Sequence, residues 1–118
     1  MTPGERNIRA LVNVAMVQTF YWKNIVAAPG PNTPIDTTGY SARHVVVNSA
    51  GAQIINLTTQ AGTVALTPAS GKIESTFSRA AMLVATGEHT HLLVLTSPAG
   101  LDYPLAAGRF SVGKGLPV

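Results

Sequence analysis

The residues best spaced for chemistry are His89 and His91, separated only by Thr90. Side chains two apart on a strand point the same way, so the pair would present two imidazoles to one metal ion. Two ligands do not complete a site, because zinc centres take three or four protein donors. His44 or Asp102 would have to join them through tertiary structure. The expectation is a structural or solvent-facing pair, a weak metal candidate at most, and no cofactor. The carboxylates that hydrolysis would use, Glu5, Asp36, Glu74, Glu88 and Asp102, are scattered without partners nearby in sequence. No Gly-x-Ser-x-Gly elbow occurs, and Pro68-Ala69-Ser70-Gly71-Lys72 lacks the first glycine of a phosphate loop. The chain has no cysteine, which excludes disulfides, thiolate nucleophiles and thiolate metal sites. These absences predict a protein that is not an enzyme and takes no small-molecule substrate.

Tyr21, Trp22 and Tyr40 are the candidate binding residues, since exposed aromatic rings anchor protein partners or stack on sugars. Tyr21 and Trp22 are neighbours, and neighbours on a strand face opposite ways, so one of the two is expected in the core. Eight basic residues against five acidic ones give a net charge of +3, spread along the chain rather than gathered into the stripe that nucleic acid binding needs. Only 11% of residues are charged while 46% are hydrophobic, leaving a surface of Thr, Ser, Asn, Gln and Ala suited to lying against other protein. The N-terminal residues do not read as a signal peptide, and Ala10 to Trp22 is too short and too interrupted to span a bilayer. A cytosol, at least when the chain is made, with no membrane partner, is the expectation.

The elements that would position these residues are strands. From Ile8 to Val17 apolar and other residues alternate with a period of two, which predicts a strand, and Phe20 to Val26 predicts a second. Pro29-Gly30-Pro31-Asn32-Thr33-Pro34 stops it, and Asp36 reads as a turn former. Further strands are expected over Tyr40–Val47, Gln53–Thr58, Gly62–Thr67, Lys72–Ser78, Glu88–Thr96 and Tyr103–Val112. Ser78 to Ala85, rich in alanine behind a serine, permits one short helical turn or two. Gly108 inside the last strand signals a bulge or a close backbone approach. With 118 residues the prediction is an all-β, immunoglobulin-like antiparallel sandwich of about seven or eight strands, with an N-terminal arm or edge strand over 1–17, the sandwich over 18–112 and a tail over 113–118.

The order of turns resembles a β-sandwich domain of tailed-phage tail and baseplate proteins, including the N-terminal domain of upper baseplate proteins. The likeness rests on Pro34-Ile35-Asp36-Thr37-Thr38-Gly39-Tyr40 entering a strand, then Gly51 to Leu57, Gly71-Lys72-Ile73, Arg79 to Ala85, Gly87 to Leu95 and Leu105-Ala106-Ala107-Gly108-Arg109-Phe110-Ser111-Val112. It covers about Val17 to Val112. The resemblance implies a virion structural protein at the tail tip, baseplate or fibre attachment, assembled in the host cytoplasm, with other virion proteins as partners and a trimer or hexamer of its own chain. It brings no catalytic residues. Two alternatives stand beside it: a carbohydrate-binding or host-adhesion module using Tyr21 or Trp22, Tyr40 and the Pro-rich loop, and a head decoration or head-completion protein. The segment before Gln18 is expected to pair with a neighbouring subunit by strand addition.

Overall fold

The structure, a computed structural model, describes residues 4–24, 33–34, 37–84 and 86–114. The Pro-rich loop over 29–32, Asp36 and the last four residues of the expected tail lie outside them. The strands are β1 (Gly4–Glu5), β2 (Ile8–Leu11), β3 (Met16–Tyr21), β4 (Lys23–Asn24), β5 (Thr33–Pro34), β6 (Ser41–Val47), β7 (Gln53–Thr58), β8 (Val64–Thr67), β9 (Lys72–Phe77), β10 (Gly87–Thr96) and β11 (Asp102–Gly113). One sheet has the order β1-β11-β10-β6-β7, with β2 following β1 along the same edge of β11, the sheet facing it has the order β3-β9-β8, and β4 and β5 pair as a separate two-stranded ribbon. The fold is an all-β, immunoglobulin-like sandwich: β3, β9 and β8 take the B, E and D places, β6, β10 and β11 the C, F and G places, and β7 adds a C′ strand. We call the two sheets the GFC sheet and the BED sheet. The pairing is antiparallel except at the N-terminal edge, where β1 and β2 run parallel to β11.

The first strand differs from expectation. Ile8 to Val17 is not one strand but two, in different sheets: β2 pairs with the chain's own β11, and Met16 and Val17 begin β3 on β9. The break falls at Asn13, whose φ of 61° is a left-handed conformation that asparagine tolerates better than most residues. The crossing keeps parity, since Ile8 and Ala10 face the core before it and Phe20 faces the core after it. A period-two reading therefore runs straight through the change of sheet.

The helical turn is also displaced. Ser78 to Leu83 makes turns rather than a helix, with Met82 N–H donating to the Ser78 carbonyl at 3.1 Å and Ser78 Oγ accepting from Ala81 N–H. The one helical element among the described residues is a 3₁₀ turn, Pro68–Ser70, closed by Gly71 at φ 63°. Between the sheets lies a core whose largest fully buried side chains include Phe77, Phe110, Ile73, Met82, Leu93 and Leu95. Phe77 and Phe110 meet across it with ring centroids 5.4 Å apart.

Candidate functional site

Alternation on the strands sends three polar side chains into this core. His44 on β6, Ser75 on β9 and His91 on β10 are 0, 0 and 1% exposed. His44 and His91 meet because β6 and β10 pair with Val46 opposite His91 and His44 opposite Leu93, which makes the two imidazoles diagonal neighbours on one face. Ser75 comes from the opposite sheet. His44 Nδ1 lies 2.8 Å from Ser75 Oγ, His44 Nε2 lies 3.0 Å from His91 Nδ1, and His91 Nε2 lies 2.5 Å from the Arg6 carbonyl oxygen.

With both rings neutral, as burial favours, the end of this line sets the direction of every hydrogen bond in it. A carbonyl oxygen can only accept, so His91 carries its hydrogen on Nε2 and offers Nδ1 as an acceptor. His44 must then donate from Nε2, which leaves its Nδ1 to accept from the Ser75 hydroxyl. Each group then has one role. Burial pushes His44 down to about 3, with further lowering from the positive charge that His91 or Arg6 would set beside it. Burial also lowers His91, against an upward pull from its hydrogen bond to the Arg6 carbonyl.

Arg6 closes the relay. It sits between β1 and β2, where its amide donates to the Ala107 carbonyl at 2.8 Å. Its guanidinium reaches across to the BED sheet, donating to the Thr19 carbonyl at 2.6 Å and to Gln18 Oε1 at 3.1 Å, and lies 4.2 Å from the centre of the Phe20 ring. In the sequence Arg6 is one of eight scattered basic residues. Gly108 was the available signal: a Cβ there would overlap the Arg6 carbonyl and crowd Asn7 Oδ1, so the expected close approach is that of Arg6.

The serine–histidine–histidine order has the outline of a nucleophile, its base and an orienting group. Its geometry is that of a tie between sheets, since the Ser75 hydroxyl and both rings are sealed from solvent. His89 and His91 do share a face of β10, as their spacing predicts, and that face is the core side. Both nitrogens of His91 are engaged in hydrogen bonds, and the described residues contain no group of three His, Cys, Asp or Glu side chains able to hold a metal ion.

The aromatic candidates separate. Trp22 is 8% exposed and packs edge-on to Tyr40 at 5.8 Å and against Tyr103 at 5.5 Å, forming a plug at one end of the core. Tyr40 is half-buried in the same group, and Tyr103 was not singled out from sequence. Tyr21 is 57% exposed beside a small groove lined by Glu5, Phe20 and Leu105.

Comparison with known proteins adds little to this geometry. No family model and no curated protein matches the chain. Among solved structures the chain is similar to murine CRIg, at 9% sequence identity and a TM-score of 0.39 over 92% of each chain. A likeness of that degree says nothing of role.

Proposed function

We propose that the chain is a non-catalytic structural module that works through protein–protein contacts, and that its place is the virion of a tailed phage, at the tail tip, baseplate or fibre attachment. The observation that carries the first half is where the chemistry goes. The histidine and serine groups most capable of acid–base or nucleophilic work are spent on one another and on a backbone carbonyl inside the core. The second half rests on the resemblance in turn order described above. The adhesion reading loses Trp22 to the core, and Tyr40 is half-buried against Trp22 and Tyr103. Quantitative mass spectrometry of purified particles made by the encoding genome tests the assignment. A copy number that is a small multiple of three supports a tail-tip or baseplate position. Hundreds of copies move the chain to the head or tail tube, and absence from the particle overturns the virion reading.

A further inference from the structure

Among the described residues, Gly4 to Asn7 are held to the sandwich by polar contacts and one cation–ring contact. β1 pairs Gly4 and Glu5 with Ala106 and Ala107, the Arg6 amide donates to the Ala107 carbonyl, and Asn7 Oδ1 accepts from the Arg109 amide at 3.0 Å. The Arg6 carbonyl accepts from His91, while the Arg6 guanidinium donates to Thr19 and Gln18 on the other sheet and lies over the Phe20 ring. Glu5 and Asn7 are exposed and Arg6 is half-buried. The first side chain seated in the core is Ile8, 2% exposed. These four residues can therefore leave the sandwich without a core side chain moving.

What they cover is poorly suited to a second positive charge. The His44 and His91 rings have centroids 5.1 Å apart. Phe20 of β3 and Phe77 of β9 stand edge-on to His44, Phe110 of β11 stands edge-on to His91, and Ser75 supplies the hydroxyl. His89 shares the core face of β10 with His91. Among the described residues no carboxylate faces the pair: Glu5, Glu88 and Asp102 are exposed, and Glu74 is matched with Lys72. Arg43 and Arg109, on strands packed against the pair, are exposed as well. A proton taken up by either ring is therefore set beside Arg6 with no anion to offset it, in surroundings where like charges repel strongly. An imidazolium at His91 can still donate to the Arg6 carbonyl, so the new charge acts on the guanidinium and not on that bond. Arg6 is the charge of this cluster whose segment can leave, and its leaving admits water to His91 Nε2.

We propose that Gly4 to Asn7 form an acid-released latch: proton uptake by the histidine pair expels Arg6, and the four residues leave β11 and β3 while the rest of the sandwich stays folded. Release bares the β11 edge at Ala106 and Ala107 together with the β3 edge at Thr19, turning a guarded place into one open to a further strand. The sense of the switch follows from the closed state, in which burial holds both histidines below their ordinary value of 6.5. The latch is shut above that pH, and its released fraction grows as pH falls, by up to about tenfold per pH unit for each proton taken up. It stands or falls apart from the virion reading, on which the copy number in particles decides.

The test follows amide and imidazole signals of the full chain, labelled with ¹⁵N, from about pH 7.5 to about pH 4.5. The amides of Glu5, Arg6 and Asn7 are expected to move to disordered positions at a midpoint shared with the His91 ring, while those of β9 and β10 stay dispersed. His91→Gln keeps a donor for the Arg6 carbonyl and takes up no proton, so its segment stays in place at the pH where the parent is half released. Glu5→Gln removes the carboxylate of the segment and leaves the midpoint unchanged. Segment signals that stay in place down to about pH 4.5 overturn the latch. So does loss of the strand signals in the same step, or a midpoint that moves in Glu5→Gln and not in His91→Gln. Where His91→Gln does not fold, the parent decides alone: a segment midpoint different from that of the His91 ring overturns the latch, and a shared one supports it.

Discussion

At the scale of single residues, the relay turns a sequence with few charges into one with a specific acid sensitivity. Both histidines sit below their ordinary value of 6.5 when folded, so the unfolded chain binds protons that the folded chain refuses. Their contribution to stability is therefore fully present above about pH 6.5 and is lost as pH falls toward the His44 value of about 3. The slope is about 1.4 kcal/mol per pH unit for each ring that is neutral folded and charged unfolded. Urea midpoints at about pH 7.5 and about pH 5, above most carboxylate titration, should fall on acidification. A flat profile would contradict neutral rings in the core. Ser75→Ala leaves His44 Nδ1 buried without its donor. A loss of about 1–3 kcal/mol by urea denaturation is expected. Gly108→Ala acts by another route, since the added Cβ meets backbone rather than a side chain that can swing away. Overpacking of this kind costs about 1–3 kcal/mol, and here the strain falls on the strand pairing of β1 and β2. Faster amide exchange at Arg6 than in the parent would report it, and unchanged exchange there would refute the close approach.

At the scale of elements, the N-terminal strand pair does two jobs. Paired parallel to β11, it covers the edge of the GFC sheet, and through Arg6 it occupies the edge of β3 with a guanidinium that takes the Thr19 carbonyl. A charge set against an open strand edge discourages another strand from adding there. The reading of this segment as an arm that adds to a neighbouring subunit meets its own β11 already in that place. Arg6→Ala should thus lower stability by about 1–3 kcal/mol, as hydrogen bonds from a charged donor and a ring contact are lost. It should also raise self-association in sedimentation velocity runs; an Arg6→Ala chain as monodisperse as the parent would show that the guanidinium does not guard the edge. Strand positions from β6 onward were legible because each has alternating apolar residues between glycine-bearing turns. The Asn13 crossing was not, because an even-parity connection leaves the alternation unbroken. The relay was legible only in part. His89 and His91 advertise their common face by spacing, but the pairing of His91 with His44 spans 47 positions and depends on the β6–β10 register, which no local pattern states.

At the scale of the whole molecule, the two sheets are coupled by contacts of different kinds at three places. Trp22, Tyr40 and Tyr103 plug one end, Phe77 and Phe110 meet toward the other, and between them Ser75 with Arg6 ties the BED sheet to the GFC sheet through hydrogen bonds. Neither sheet can leave without exposing the rings of one end and stranding buried imidazoles at the centre, where unpaired polar groups are costly. Unfolding should therefore be a single transition. Trp22, the one tryptophan of the chain, reports on the aromatic plug by fluorescence, and far-UV circular dichroism reports on both sheets together. Phe110→Ala opens a cavity on the far side of the polar tie from the plug and should cost about 3–5 kcal/mol. If the sheets are coupled as described, its fluorescence and dichroism curves shift together and remain coincident. Curves that separate in this variant, with the plug melting before the sheets, would mean that the aromatic end is an independent cluster and that the central polar tie alone does not hold the sandwich together.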